Sequence, residues 1–369
     1  MQPSSQRNGA GPLRVVQAGA GHMGRMWLTA IAQTPDVELV GLVDIDPDAA
    51  RTAAQETGFG SVTVGADLID VARASGAEAV IDVTVPQAHH PLTTAALFAG
   101  LPVLGEKPVA QTLPEALSLA AAARVTGVKF VVSQSRRYNA QAFAYREHVR
   151  TLGEVGTAVV QFSKAPHFPG FREQMEYPLL IDMAIHQFDL ARFLLGRDPV
   201  SVWCDSFNPP GSWYAGDAAA TAAFEMSGGQ RFVFTGSWVA PGLETSWNGS
   251  WRITGSLGSA LWDGDHDPLV ETTGDAPSRA VVPGESVAGA LAAFVAGLRG
   301  GHPMMCEVHD NVLSLAMVFA AIESAQSGRR VLIDDILEQA HTKAVAHEQR
   351  DDVRTELASW STVRQALAE

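Results

Sequence analysis

Cysteine, lysine and arginine are scarce in this chain, and it has no long hydrophobic run. Its two cysteines, Cys204 and Cys306, are too few for a disulfide framework and are typical of a reducing compartment. The 26 Lys and Arg residues face 40 Asp and Glu residues, and the net charge of −14 argues against a nucleic-acid partner. No window approaches 18 uninterrupted apolar residues, and the first dozen residues lack the apolar core of a signal peptide. We therefore expect a cytoplasmic chain without a membrane partner.

The chain is long and apolar enough for two domains with real cores, since 46% of its 369 residues are hydrophobic. We expect a disordered tail over residues 1–12, a nucleotide-binding domain over 13–135, a substrate-binding and oligomerisation domain over 136–335 and a helical extension over 336–369. The last segment is charged, and we expect it to be an appendage to the two domains.

The first half alternates short apolar strands with Ala-rich helical stretches. The strands are predicted at residues 13–18, 37–44, 61–64, 79–84, 102–105 and 129–133. This rhythm is typical of parallel βαβ units with both sheet faces covered, so we predict an α/β, doubly wound Rossmann sheet.

The second half has a different rhythm. An apolar helix is predicted over 179–195, and strands follow at 200–205, 218–225, 230–238, 247–254, 259–262 and 279–282. Strands in succession indicate an α+β domain with a large, mostly antiparallel open sheet. Helices at 286–298 and 307–327 are expected to cover one face of this sheet, with a last strand at 330–333.

A glycine-rich turn follows the first predicted strand and opens a helix. It contains Gly19, Gly21, His22, Met23 and Gly24, which form the pattern GxGxxG. The glycines permit a tight bend, a close approach of backbone amides to a pyrophosphate, and close helix–sheet packing. Asp44, at the end of the second strand, would accept hydrogen bonds from the adenosine ribose. The combination predicts a dinucleotide site.

The residues after Asp44 favour NAD over NADP. Ile45, Asp46 and Asp48 follow without a cation to receive a 2′-phosphate, and carboxylates repel that group. The alternative role of Asp46 and Asp48 is to begin the next helix, where acidic residues suit the helix dipole.

Two further motifs carry chemistry. Glu106-Lys107-Pro108 follows a strand at the sheet edge where doubly wound folds bind ligands, although an isolated motif of this kind is more often a surface loop. Asp182 and His186 lie four residues apart in the apolar helix and would share one face. Asp189 continues this stripe, and we expect it to pair with Arg192.

Taken in order, GAGHMG, Asp44, VTVPQAHH, GEKPVA, SRRYN and DMAIH resemble the glucose–fructose oxidoreductase, inositol dehydrogenase and rhizopine catabolism (Gfo/Idh/MocA) family. The resemblance implies a Rossmann domain, a second domain with an open sheet that forms the oligomer interface, and NAD(P)-dependent chemistry on sugars or cyclitols. It also implies a cis peptide before Pro108 and a homodimer or homotetramer.

The resemblance also implies the site residues. The catalytic set is Lys107, Asp182 and His186. Cofactor contacts are implied for the glycine turn with His22 and Met23, and for Asp44, Ile45, Thr84, Val85, Pro86, His90, Glu106 and Lys107. Substrate contacts are expected from Lys107, Arg137, Tyr138, Asp182 and His186, and, because functional groups concentrate on loops, from His167 and Arg172 in the loop before the apolar helix. The loop VPQAHH departs from the family's usual TPNxxH, and His90 has helix packing as an alternative role.

We interpret the function as reversible oxidation of a secondary hydroxyl group, with His186 as general base, Lys107 stabilising the reacting oxygen and Asp182 orienting the hydroxyl. The loop before the helix offers only Lys164 and Arg172 as cations, which favours a neutral sugar, glycoside or polyol over a phosphorylated one. Scattered histidines argue against a metal site. An NAD-dependent glycosidase and a non-catalytic sensor of the same fold stay open as alternatives.

Overall fold

Residues 11–278, 282 and 284–368 are described by the structure, a computed structural model, and they form two sheets with surrounding helices. The strands of the first sheet are β1 (Leu13–Ala18), β2 (Val37–Val43), β3 (Thr63–Gly65), β4 (Ala79–Asp82), β5 (Val103–Glu106) and β6 (Phe130–Ser133). They are all parallel, in the order β3-β2-β1-β4-β5-β6. The predicted doubly wound sheet is confirmed.

Five helices connect these strands. They are α1 (His22–Ala32), α2 (Pro47–Glu56), α3 (Leu68–Ser75), α4 (Pro86–Phe98) and α5 (Leu113–Thr126). Local chemistry fixes where they begin, since Asp46 caps α2 and a Thr112–Glu115 capping box starts α5. The strand order reverses between β1 and β4, so the carboxyl ends of these two strands border the crevice in which such folds bind ligands.

The second domain begins with α6 (Ala140–Arg150) and β7 (Val155–Ser163), and continues with a π-helical turn (Leu179–Ala184) that leads directly into α7 (Ile185–Leu195). Its remaining strands are β8 (Pro199–Phe207), β9 (Ala219–Met226), β10 (Arg231–Ser237), β11 (Ser250–Gly255), β12 (Gly258–Trp262), β13 (Leu269–Thr272) and β14 (Val331–Leu332). The sheet order is β13-β12-β11-β7-β10-β9-β8-β14, with β7 and β10 parallel and the other neighbours antiparallel.

Two strand predictions differ from the structure. β13 at Leu269–Thr272 was not predicted, because its four residues carry no strong apolar alternation. The strand predicted at 279–282 falls largely outside the described residues, as does most of the tail predicted at 1–12.

The helices α8 (Ser286–Gly300) and α9 (Val308–Ser327) do not both cover the second sheet, so that expectation was wrong. In α8, Leu291 and Phe294 join the core that contains Trp27 of the Rossmann domain. Helix α9 contacts β8 of the second sheet on one side and α5 of the Rossmann domain on the other. The chain therefore returns to the first domain and fixes the two domains together.

The C-terminal extension is integrated into the molecule and is not a loose appendage. It consists of α10 (Ile333–His347), α11 (Asp351–Ser359) and α12 (Val363–Ala368), and both α10 and α11 contact α5. Val353, Leu357 and Val363 are fully buried. Within the described part of the chain, every helix is too short or too polar to cross a membrane.

Candidate active site

The glycine turn adopts the conformation that a pyrophosphate site requires. Gly19 has a φ of 98°, and a Cβ atom there would lie 2.4 Å from the Val83 carbonyl oxygen. A Cβ atom on Gly24 would lie 2.3 Å from the Gly19 carbonyl oxygen, so α1 packs closely on the turn. At Gly21, in contrast, the space is open, and no side chain caps the first amides of α1. His22 and Met23, the next two residues, are exposed.

Asp44 lies beside this turn at the end of β2. Its Oδ2 accepts a hydrogen bond of 2.8 Å from the Ala20 amide, and its Oδ1 accepts one of 3.0 Å from the Asp46 amide. Ile45 is 97% exposed next to it. Asp46 accepts hydrogen bonds from the Asp48 and Ala49 amides, so its role includes capping α2.

The loop after β4 presents Val85 and Pro86 at the start of α4. Thr84 donates a hydrogen bond of 2.6 Å from Oγ1 to Asp82, and Val85 is exposed. His90 points to α5 instead: its Nε2 lies 2.9 Å from Ser118 Oγ, and Ser118 in turn donates to Glu348 of the extension. This contact favours the packing role for His90.

His89, which the sequence did not single out, joins two loops of the site. Its ring nitrogens lie 2.8 Å from the Pro108 carbonyl oxygen and 3.1 Å from the Thr84 carbonyl oxygen. Its side chain is buried, so it fixes the Lys107 loop relative to the loop after β4. The only sequence signal is a His next to the position that the resemblance favoured.

Glu106 and Lys107 end β5 at the carboxyl edge of the sheet. Glu106 is buried, where its Oε1 accepts a hydrogen bond of 2.7 Å from Trp27 and its Oε2 accepts one from the Lys107 amide. Burial raises the pKa of Glu106, although Trp27 and Lys107 oppose this. The Lys107–Pro108 peptide is cis, as the resemblance implied.

Lys107 and Asp182 meet across the two domains. Lys107 Nζ donates to Asp182 Oδ1 at 3.2 Å and to the Asp182 main-chain carbonyl at 3.0 Å. The other carboxylate oxygen, Oδ2, accepts a hydrogen bond of 2.8 Å from Arg172 Nε. Burial alone would raise the pKa of Asp182, but the Lys107 and Arg172 cations hold it below its usual value. Asp182 is therefore a carboxylate shared by two cations.

His186 lies close to this ion pair. It is buried, and its Nδ1 has no hydrogen-bond partner among the described residues. Burial lowers the pKa of His186 well below its usual value, and the Arg136 and Lys107 cations lower it further. The imidazole is consequently neutral at neutral pH, and one ring nitrogen is available to accept a proton.

The segment that carries Asp182 and His186 is not the uninterrupted α-helix that the sequence predicted. Leu179–Ala184 forms a π-helical turn and α7 starts at Ile185. Turns of this kind are frequent at functional sites because they change which backbone groups are hydrogen-bonded within the helix. Here the Asp182 carbonyl oxygen receives Lys107.

Arg137 and Tyr138 do not fit the expected substrate contacts. Arg137 donates hydrogen bonds to both carboxylate oxygens of Asp189, from Nε at 2.7 Å and from Nη2 at 2.8 Å. Its Nη1 lies 3.4 Å from Asp310 Oδ2. Tyr138 is only 2% exposed, in the interior. The expected Asp189–Arg192 pair is also wrong, because Arg192 pairs with Asp310 at 2.6 Å and with Asp198.

The loop before the π-helical turn supplies the remaining predicted residues. His167 is exposed and stacks on Trp213, with ring centroids 3.9 Å apart. Arg172 reaches Asp182, as described above. Lys164 donates to Glu244 at 2.9 Å and lies over the Trp247 ring.

Arg136 is a site residue that the sequence reasoning missed. Its Nη1 donates to Asn248 Oδ1 at 2.9 Å, and the neighbouring Trp247 carbonyl accepts a hydrogen bond of 3.2 Å from Gln187, the residue after His186. The segment 247–248 thus holds Arg136 near α7. Next to Arg137 in the same motif, Arg136 gave no separate sequence signal.

These residues fit a dinucleotide. Uncapped amides at the start of α1 face an opening that a glycine keeps clear, and a carboxylate follows β2. Lys107 follows β5 at the same carboxyl edge of the sheet, and His186 lies near it. Among the described residues, no group of three or more His, Cys, Asp or Glu side chains is arranged to hold a metal ion. The fold and the site define an NAD-binding, two-domain oxidoreductase.

Comparison with known proteins identifies the family. Residues 13–134 match the oxidoreductase family with the NAD-binding Rossmann fold, GFO_IDH_MocA, and residues 147–261 match the GFO/IDH/MocA C-terminal domain. The chain belongs to the Gfo/Idh/MocA family, whose members described below include dehydrogenases of polyols and sugars.

Several relatives match over most of their length. The inositol 2-dehydrogenase of Rhizobium meliloti is 25% identical over 85% of this chain and 97% of its own. The D-apiose dehydrogenase of Paraburkholderia graminis is 26% identical over 91% of this chain and 93% of its own. An oxidoreductase from Agrobacterium radiobacter, solved with NAD+, L-tartaric acid and magnesium, superposes with a TM-score of 0.77 at 20% identity, covering 88% of this chain and 99% of that one. This chain is accordingly an NAD(P)-dependent oxidoreductase.

Proposed function

We propose that this enzyme oxidises a secondary hydroxyl group of a sugar, glycoside or cyclitol to a ketone, reversibly and with NAD. The observation that carries the proposal is the meeting of Lys107, Asp182 and His186 at the carboxyl edge of the Rossmann sheet. Relatives named as dehydrogenases of inositol and of D-apiose support the substrate class.

In this proposal the oxidation divides between cofactor and protein. NAD, when bound, supplies the acceptor for the hydride that leaves the carbinol carbon. The neutral imidazole of His186 accepts the proton that leaves the hydroxyl oxygen. Lys107 has three N–H groups, of which two donate to Asp182, so the third is available to the reacting oxygen.

Asp182 acts in this scheme mainly by positioning. Both of its oxygens are occupied, one by Lys107 and one by Arg172. The expected hydrogen bond from a substrate hydroxyl to an Asp182 oxygen stays a prediction. Arg172, which bonds Asp182, and His167, which precedes it in the same loop, are proposed to contact the rest of the substrate.

We propose NAD as the preferred cofactor, because the Asp44 carboxylate lies where a 2′-phosphate would be repelled.

We also propose a homodimer or homotetramer that assembles through the open face of the second sheet. Trp203, Leu261 and Leu269 are exposed there, and exposed apolar patches usually mark contacts.

The variant His186→Asn tests the role of the imidazole. Loss of a general base should lower kcat by about 10²- to 10⁴-fold, with the Kd for NAD unchanged. NADH absorbance during incubation with a panel of sugars and cyclitols measures turnover, and calorimetry measures NAD binding. His266→Asn, at an exposed histidine of the second domain, is the matched control and should keep full activity. Near wild-type turnover of His186→Asn would remove the proposed base.

The same panel separates the two alternatives. An NAD-dependent glycosidase would release the aglycone of a glycoside without net NADH. A sensor would bind NAD and show neither product. Accumulation of NADH with an unglycosylated sugar supports the dehydrogenase.

A further inference from the structure

Arg136 is a partly buried cation without a carboxylate partner among the described residues. No carboxylate of the described residues forms an ion pair with its guanidinium, and its Nε is inaccessible to solvent and without a hydrogen-bond partner. Burial lowers the pKa of Arg136 to about 10, which still leaves it charged at neutral pH. A buried charge without a partner is costly, so such a group indicates a ligand that completes it.

The other cations around the site are already paired. Lys107 and Arg172 share Asp182, and Lys164 pairs with Glu244. With His186 neutral, Lys107 and Arg172 share the single Asp182 carboxylate, and Arg136 adds a further cation near His186, in a chain whose net charge is −14. A pocket of opposite sign to the rest of the protein concentrates anions.

The neighbouring arginine shows which group the free edge of Arg136 would fit. Arg137 uses the edge formed by Nε and Nη2 to hold both oxygens of Asp189. In Arg136 only Nη1 is bonded, to Asn248, so among the described residues the same Nε–Nη2 edge holds nothing. This edge matches the two oxygens of a carboxylate.

The segment that anchors Arg136 also lies against the reaction site. Asn248 holds the guanidinium, and the adjacent Trp247 carbonyl is bonded by Gln187, next to His186 in α7. Two orphaned polar atoms, Arg136 Nε and His186 Nδ1, therefore belong to one region.

We propose that Arg136 binds a carboxylate of the substrate, so that the preferred substrate is an acidic sugar or cyclitol, such as a uronate, and not its neutral counterpart. This inference rests on the proposed function and refines its substrate class. A carboxylate is favoured over a phosphate because one guanidinium edge holds two oxygens, whereas a phosphate with two charges would require a cluster of free cations.

Matched substrates test the inference. Glucuronate, galacturonate and mannuronate are compared with their uronamides and parent aldoses, which keep the ring and remove the charge. In the wild type, the acid of at least one series should have a kcat/KM about 10- to 100-fold above that of its amide, the range expected for a charge-assisted bidentate contact. In Arg136→Gln this ratio should fall to about one, because the acid loses its charge-assisted contact and the amide has none to lose. Arg136→Lys should restore part of the preference, and Arg73→Gln, on an exposed helix surface, should leave it unchanged.

A binding measurement and a pH profile test the same contact independently of the kcat/KM ratio. Calorimetry of the chain loaded with NADH should show tighter binding of the acid than of the amide in the wild type and equal binding in Arg136→Gln. On the acid side of the pH profile, the activity of the wild type should fall at a lower pH than that of the variant, because removing the Arg136 cation raises the pKa of His186.

The possible failures are distinguishable. If neutral sugars are oxidised as well as the acids, or if Arg136→Gln lowers both equally, the carboxylate inference is wrong and the dehydrogenase stands. A preference for sugar phosphates would also overturn it. If no carbohydrate of any charge yields NADH, the proposed function itself fails, and tighter binding of acids to the NADH-loaded chain still decides the role of Arg136.

Discussion

At the scale of single residues, the cofactor preference depends on the fixed carboxylate of Asp44. Hydrogen bonds from the Ala20 and Asp46 amides hold both of its oxygens, so they fix the side chain in place. Asp46 is committed to capping α2, and Asp48 pairs with Arg51. Most of the repulsion is therefore assigned to Asp44.

Asp44→Asn should shift the cofactor preference toward NADP. The amide keeps an oxygen for the Ala20 amide but removes the charge, and a loss of about 1.4 kcal/mol of repulsion corresponds to about tenfold in affinity. Competitive titration of NAD and NADP measures the ratio of the two Kd values. Asp48→Asn, in the first turn of α2, should leave the ratio within about twofold. Tighter binding of NADP than NAD by the wild type would contradict the assignment.

The sequence predicted which residues belong to the site better than it predicted the residues with which they form hydrogen bonds and ion pairs. Lys107, Asp182 and His186 could be found because their motifs have fixed spacing. Arg136 and Arg137 could not be told apart, because they are chemically identical neighbours and only the 3₁₀ turn at Ser135–Arg137 decides which one meets Asp189. Pairing of buried charges depends on tertiary geometry that no local pattern contains.

At the scale of elements, the π-helical turn at Leu179–Ala184 shows a similar limit. Over six residues, an apolar pattern with one carboxylate fits an α-helix and a wider turn equally well. Tertiary contacts of this segment, among them the bond from Lys107 to the Asp182 carbonyl, lie outside any sequence window. The positions of the strands, by contrast, follow from short apolar runs separated by helical stretches. The strands of the first sheet were therefore predicted to within a few residues.

The C-terminal extension is an element whose packing makes a measurable prediction. Leu357 of α11 is fully buried in a helix that contacts α5, so Leu357→Ala should lower the free energy of unfolding by about 3 kcal/mol. Urea unfolding followed by tryptophan fluorescence measures this change. Leu243→Ala, at a fully exposed leucine, should have an effect near zero. Equal midpoints for the two variants would show that the extension does not stabilise the domain it covers.

At the scale of the whole molecule, helices that follow the second sheet in the chain join the two domains, which the order of elements did not predict. The sequence indicated two consecutive domains, but α8 packs on the Rossmann core and α9 lies between the second sheet and α5. The reason is that the apolar residues of a helix do not specify which surface the helix packs against. The same integration keeps Lys107 of one domain in contact with Asp182 of the other.

One face of the second sheet is partly exposed in the described part of the chain. Strand register aligns one row across it, and this row contains Trp203, Ala223, Val233, Val159, Arg252, Leu261 and Leu269. The opposite face contains Phe224, Phe232 and Trp251, which are buried in the core. A row that is mainly apolar and partly exposed is suited to a second copy of the sheet.

Leu261→Glu should dissociate the proposed oligomer, because it places a charge within this row, where a partner would have to desolvate it. Light scattering should give a multiple of 39.1 kDa for the wild type and a mass near 39.1 kDa for the variant. Leu243→Glu makes the identical change at an exposed leucine outside the strands and should keep the wild-type mass. A wild-type particle of 39 kDa would contradict the proposed assembly. Dissociation by both variants would place the interface elsewhere, since only Leu261 belongs to the row.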